Sequence, residues 1–462
     1  MPIVFIHGVN TRWTDAGYVQ AVGCRRAFFE RIVVKALQAR FPGRFPGFAV
    51  LPDIYWGDLG VSFAWGLKSI PATSVLVSLG SGATPPENLD LFMLLATGAP
   101  AAAPSSVIVS LGPTAAANPL VAAVERNPME FVRAIFAPEA ARFDPREPTA
   151  PATPLLTAKD WARAESEGEH LALMLLAADE VARKASHDPN LLKATTDAEV
   201  LEKIQDETTK AYSCLAVPPA VAAPNVVTLG ALDPLENAAR WVRKRIENLV
   251  NGATTVATTV RDEALRASTL LLFKALRDEA SRRGLRFLGD VFVYLERGRL
   301  GAPSINSVVV NGIKAAAAVK NTKGEREPLI VVTHSFGSEL LYDALTADDF
   351  PDDLTIDLWV TVGAQTSLFA EMRLYKTSPS AVPSATHPEL GKPPQVRRWI
   401  NFYDPADALS FMHEPVFGEA AVSDILVGAG ANAVNAHGHY FVVPSFYERI
   451  AQDVGSLCVT LP

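Results

Sequence analysis

Side chains that together perform acyl transfer occur along this chain in one order: a serine at a strand-to-helix junction, then two aspartates, then two histidines. The serine is Ser335, within Thr333-His334-Ser335-Phe336-Gly337, and it lies between the apolar run Pro328 to Thr333 and the helical pattern Glu339 to Leu345. That is the setting of a Gly-x-Ser-x-Gly nucleophile elbow, in which the serine occupies a tight, strained turn. Small flanking residues let the strand and helix backbones pass closely. Gly337 and Ser338 meet that need after the serine, whereas Thr333 stands where the pattern has glycine and adds a methyl and a hydroxyl. Taken alone, the segment also reads as an ordinary strand-to-helix turn.

The other groups that the chemistry needs follow. Asp404 and Asp407 come directly after the predicted strand Val396 to Phe402, at the carboxyl end where ligands gather in open α/β sheets. Asp407 is the favoured acid, because the chain must turn at Pro405 before a carboxylate can reach a neighbouring loop. Asp404 is the alternative, and its bland reading is a turn-forming aspartate before proline. His437 is the favoured general base and His439 the alternative; near neutral pH, imidazole is the side chain suited to take a serine proton and return it to a leaving group. Of the eight histidines, His170, His187, His387 and His413 have no such context and are assigned to surface or loops. Oxyanion donors are expected from the backbone N–H groups of Phe336 and of Val9, where His7-Gly8 turns the chain after an early strand, with Asn10 as a further side-chain donor.

These residues need a scaffold to bring them together. Ile3 to Ile6 reads as a buried strand, Tyr18 to Leu37 as a helix and Phe48 to Trp56 as a second strand, which begins a strand-helix-strand unit. From about Leu59 to Asn225 the chain turns rich in Ala, Pro, Ser and Thr, with helical patterns at Lys159 to Lys184 and Asp197 to Tyr212. Regularity returns with a helical pattern from Pro234 to Arg283, then Phe287 to Leu295, a helix Asn306 to Lys320, strands Leu354 to Val362 and Val396 to Phe402, and a terminal helix from about Pro444. The expected organisation is a first core part at 1–60, an inserted, mainly helical region at 61–233 and a second core part at 234–462.

Composition narrows the function classes. With 49% hydrophobic and 20% charged residues in 462, the chain can bury a large core. A net charge of −8 offers no basic stripe for a phosphate backbone, so nucleic acid is not an expected partner. Cys24, Cys214 and Cys458 are widely spaced and show no metal-ligand pattern; no metal or cofactor is expected, and the thiols suit a reducing compartment. The start of the sequence lacks a basic leader and a cleavage site, and Leu91 to Val124, although uncharged, is broken by Pro100, Pro104, Pro113 and Pro119. The expectation is a cytoplasmic protein without a spanning helix.

The segments Phe5-Ile-His-Gly-Val-Asn-Thr-Arg, Tyr55-Trp-Gly-Asp, Leu288-Gly-Asp-Val-Phe-Val-Tyr-Leu, Thr333-His-Ser-Phe-Gly, Val360-Thr-Val-Gly, Phe402-Tyr-Asp-Pro-Ala-Asp and His437-Gly-His-Tyr together resemble the α/β-hydrolase superfamily, within it bacterial lipase-like or esterase-like serine hydrolases. The likeness covers roughly Met1 to Gly60 and Arg282 to the C-terminus. It implies a doubly wound, mostly parallel sheet, a Ser335, Asp407, His437 triad, and a small-molecule or lipid acyl ester as substrate. The inserted region would then serve as a cap or lid, with its apolar stretch offering peripheral membrane contact. Thioesters, amides and acyl transfer use the same parts, and a degenerate hydrolase acting as an interaction module is the competing class. Oligomeric state is left open.

Overall fold

The computed structural model describes residues 2–13, 16–42, 49–63, 119–141, 158–216, 285–299, 303–323, 327–348, 350–428 and 436–460. Its centre is a six-stranded sheet in the order β2-β1-β3-β4-β5-β6, formed by β1 (Pro2–Ile6), β2 (Ala49–Val50), β3 (Ile330–His334), β4 (Ile356–Val362), β5 (Val396–Tyr403) and β6 (Ser423–Leu426). Every pairing is parallel. Both faces are covered by helices, which is why the strands read as nearly unbroken apolar runs rather than alternating ones. Ile3, Phe5, Val332, Val360 and Phe402 bury on one face, and Val4, Ile6, Val331, Trp359 and Trp399 on the other. Trp359 and Trp399 are paired in register and stack with ring centroids 4.4 Å apart.

The second strand is shorter than the expected Phe48 to Trp56. Only Ala49 and Val50 join the ladder, and a single bridge between Ile6 and Ile54 continues the contact. The Leu51 N–H donates to the Ile3 carbonyl and the next donor to β1 is Ile54 rather than Asp53, so one extra residue breaks the register there. From β1 the chain pairs first with β2 and returns much later to add β3 on the opposite side. That reversal opens a crevice at the carboxyl ends of β1 and β3.

One layer of helices begins with α1 (Ala16–Phe28), which runs through a π-helical turn (Phe29–Val34) into α2 (Lys35–Arg40), so the expected helix is continuous but locally widened. The inserted region contributes α3 (Pro119–Arg126), α4 (Pro128–Ala141), α5 (Ala158–His187) and α6 (Asp197–Ala216). Its buried residues, Leu120, Phe131, Met174 and Ile204 among them, share one core with α1 and with β1, β3, β4 and β5. Helices α1 and α5 cross at backbone contact: a Cβ on Gly23 would lie 2.2 Å from the Glu165 carbonyl oxygen, and one on Gly168 only 2.0 Å from that of Gln20. Residues 91–118 of the uncharged stretch and the helical pattern from Pro234 to Arg283 lie outside the described residues.

After these come α7 (residues 285–293), ended by a π-helical turn (Tyr294–Gly298), then α8 (Ile305–Lys323), α9 (Gly337–Leu345), α10 (Thr366–Glu371), α11 (Glu414–Phe417), α12 (Ala436–His439) and α13 (Pro444–Thr460). Residues of α8 and α9 fill the core on the second face of the sheet, while α13 packs on the first. Parallel strands flanked by helices on both faces define an α/β protein. Among the described residues, no helix is long and apolar enough to cross a membrane.

Candidate active site

Ser335 occupies the turn between β3 and α9 with a backbone φ of 51°, the left-handed region that a non-glycine residue adopts only under constraint. The turn is held by the Ser335 N–H donating to the Val362 carbonyl at 2.9 Å and the Ser338 N–H donating to the Ser335 carbonyl at 2.9 Å. Gly337 is required by close approach, because a Cβ there would meet the carbonyl oxygens of Ile6 and His7 at 2.6 and 2.7 Å. Thr333 is accommodated because its additional hydroxyl is used. It bonds the Ser338 hydroxyl at 2.8 Å and accepts the Trp359 Nε1–H at 3.0 Å.

The structure brings His437 and Asp407 together. His437 Nδ1 lies 2.8 Å from Asp407 Oδ2, and both residues are buried. The same oxygen accepts the Tyr440 hydroxyl at 3.0 Å, while Oδ1 accepts the Leu409 N–H at 2.9 Å. Burial works to raise the Asp407 pKa, but the hydrogen bond and charge of His437, with the Leu409 and Tyr440 donors, outweigh it and hold the carboxyl below its ordinary value. Asp404 has a different occupation: its Oδ1 accepts the Ala406 N–H at 2.8 Å, closing an Asx turn across Pro405. His437 and His439 both sit on the short helix α12, where residues two apart project in roughly opposite directions, so one helix turn cannot aim both at Asp407.

Ser335 Oγ is buried and makes no hydrogen bond among the described residues, so the serine and His437 are not bonded in this structure. They are tied through His334 instead. Its Nε2 lies 2.7 Å from the His437 carbonyl oxygen, and the two rings are 4.8 Å apart. The Nε2 must carry the proton there, since a carbonyl only accepts.

Across the crevice, Gly8 lies so near Ser335 that a Cβ on it would be 2.8 Å from Ser335 Cβ and 3.3 Å from Oγ. His7 fixes the turn. Its Nδ1–H donates to the Gly8 carbonyl at 2.7 Å, and its Nε2 accepts the Trp56 N–H at 3.1 Å, which defines the tautomer. Burial pushes the His7 pKa down to about 4, so the ring is neutral near pH 7. Because the peptide is trans, anchoring the Gly8 carbonyl on His7 turns the Val9 N–H to the opposite side. Phe336 is the N-cap residue of α9, where the first N–H groups have no partner within the helix. Asn10 adopts φ 64° and its N–H donates to Asp290 Oδ2 at 2.8 Å, while its side-chain Oδ1 makes no hydrogen bond.

Several residues around the site carried no assigned role in the sequence. Asp290 on α7 is fully buried and also binds Arg12 at 2.8 Å and the Val61 N–H at 2.7 Å, so it pins the loop after β1. Asp290 and Tyr440 both lie inside motifs that stand out in the sequence, at Leu288-Gly-Asp-Val and His437-Gly-His-Tyr. The inserted region also reaches the site's rim: Trp161 at the start of α5 lies 4.7 Å from Trp13, ring to ring. His413, expected on the surface or in a loop, lies in the loop before α11 but is fully buried against Trp399 and Phe417; this burial drives its pKa down to about 3. His170, also assigned to surface or loop, is instead on α5 and bonded to the Tyr212 hydroxyl at 3.0 Å. A helical or core histidine leaves no mark in sequence that separates it from a loop one.

Searches with the chain found no matching family model, no matching curated protein and no matching solved structure.

Proposed function

We propose that this chain is a serine hydrolase of the α/β-hydrolase fold that cleaves carboxylic esters through an acyl-enzyme intermediate. The observation that carries the reading is the conjunction of a serine at φ 51° on a strand-to-helix turn with a buried histidine whose Nδ1 is 2.8 Å from an aspartate. In that reading His437 takes the Ser335 proton through Nε2 as Oγ attacks the ester carbonyl, and Asp407 holds the ring and balances the imidazolium. The alcohol leaves with that proton. Water then attacks the acyl-enzyme by the reverse route. The N–H groups of Val9 and Phe336 would receive the oxyanion, each worth on the order of 3 kcal/mol in the transition state.

A second reading, a catalytically degenerate hydrolase serving as an interaction module, is favoured by one fact: Ser335 Oγ has no hydrogen bond among the described residues. Free enzymes commonly leave this contact long until substrate arrives, which is why catalysis is preferred here. A panel of p-nitrophenyl esters of graded acyl length, with thioester and anilide analogues, tests the reading. Turnover that disappears in Ser335→Ala supports it, and turnover that survives the substitution removes it. The same panel on a variant lacking residues 91–118 tests whether that uncharged stretch shapes acyl preference; an unchanged length profile in a folded variant removes the cap role.

A further inference from the structure

Four residues beyond the nucleophile on α9, Glu339 is 1% exposed and makes no ion pair among the described residues. Its Oε1 accepts the Gln365 N–H at 2.8 Å and the Thr366 hydroxyl at 3.2 Å. Gln365, also buried, donates its Nε2–H groups to the Gly363 carbonyl at 2.7 Å and to the Leu409 carbonyl. Two carbonyl acceptors fix which end of that amide is nitrogen. Both tethers end beside the acid. A Cβ on Gly363 would be 3.0 Å from Asp407 Oδ2 and 3.3 Å from His437 Nδ1, and the Leu409 N–H donates to Asp407 Oδ1 at 2.9 Å. The Gln365 side chain therefore stitches together the two loops between which Asp407 meets His437.

Two oxygens in this cluster have no partner among the described residues: Glu339 Oε2 and Gln365 Oε1, both buried. Each is an acceptor when Glu339 is ionised, and leaving two buried acceptors unpaired costs roughly 1–3 kcal/mol apiece. A proton on Glu339 Oε2 removes the buried charge and leaves in place the Oε1 contacts to the Gln365 N–H and the Thr366 hydroxyl. We propose that Glu339 works as a neutral carboxylic acid, a positioning residue that anchors Gln365 through its backbone N–H and, through the Gln365 side chain, holds the Asp407 loop in register with His437. Burial agrees with this, raising the Glu339 pKa to about 8 against the lowering pull of its backbone N–H partners. The neighbouring titratable groups cannot supply a compensating positive charge: Tyr375 bonds the Thr366 carbonyl at 3.1 Å, Tyr342 is a buried phenol on the same helix, and Asp343 is taken up by Arg299 and Tyr294.

The inference leans on the hydrolase reading for its kinetic test but not for its spectroscopic one. Glutamine mimics a protonated glutamate, presenting one acceptor and one donor, whereas leucine presents neither. Glu339→Gln should keep p-nitrophenyl acetate turnover within about threefold and Glu339→Leu should lose about a hundredfold in kcat with little change in KM, as expected for a misplaced catalytic group. Above pH ~8 the wild type should lose activity that Glu339→Gln retains. Independently of turnover, the downfield proton resonance of His437 Nδ1–H should persist in Glu339→Gln and vanish or shift in Glu339→Leu. If Glu339→Leu does not fold, Gln365→Leu takes its place with the same expectations. Equal damage in the glutamine and leucine variants, or a wild-type pH profile in Glu339→Gln, overturns the proposal. Should the wild type hydrolyse no ester, the hydrolase reading fails and the resonance alone decides the clamp.

Discussion

At the scale of single residues, the site is a set of side chains whose protonation is settled by their neighbours. Asp407 keeps its charge because His437, Tyr440 and the Leu409 N–H stabilise the carboxylate against burial. Under the proposed hydrolase reading, replacing Ser335 or His437 with alanine should reduce kcat on the order of a millionfold with the fold intact, as it does in serine hydrolases. Asp407→Asn should cost about ten-thousandfold, because the amide would favour the wrong tautomer of His437. Asp404→Asn should leave rates near wild type, since an amide oxygen can close the same turn; a steep loss there would reassign the acid. Thr333 gives a stability test. Thr333→Val would strand the buried Trp359 Nε1–H and the Ser338 hydroxyl, costing about 1–3 kcal/mol for each, measurable by denaturant unfolding.

At the scale of elements, the site is where three strand ends and one short helix meet, and its tolerances are set by backbone contact. Gly337→Ala should disrupt folding or shift β1, because the new methyl would sit 2.6 Å from a main-chain oxygen that no rotamer can move. Gly23→Ala should separate α1 from α5 and cost about 1–3 kcal/mol or more, seen as a lowered thermal midpoint. Much of this level was legible in the sequence. The strands β1, β3, β4 and β5 and the helices α5, α8 and α13 follow from apolar runs and helical spacing, and β3 with α9 placed Ser335 at its turn. What the sequence could not disclose were contacts between distant segments. Nothing local says that Asp290 pins the loop after β1, that Gln365 bridges to Leu409, or that the Thr333 hydroxyl would find Ser338 and Trp359. The ladder of β2 is shorter than its sequence suggests because β-branched and aromatic residues continue past the extra residue between Leu51 and Ile54 that breaks the register.

At the scale of the whole molecule, buried titratable groups couple the site to stability. His7 and His413 are depressed from 6.5 to about 4 and about 3 by burial, so below pH 6.5 the unfolded chain takes up protons that the folded one refuses, and stability falls with acid. Glu339, raised from 4.5 to about 8, has the opposite sign: across that window the folded chain keeps a proton the unfolded one releases, and stability falls as pH rises. The depressed histidines, His170 among them, dominate well below pH 6.5, their contribution fades over roughly a unit above it, and Glu339 dominates from there to about 8. Thermal midpoints should therefore decline between about pH 7 and 8 in the wild type and not in Glu339→Gln; the same decline in both would show that another group titrates. The central claim is that one serine hydroxyl is activated for covalent attack, and labelling with a fluorophosphonate followed by peptide mass spectrometry addresses it directly. A phosphonyl adduct on the peptide containing Ser335, absent in His437→Ala, is the predicted result. A folded wild-type protein left unlabelled, or labelled at a different residue, would contradict it.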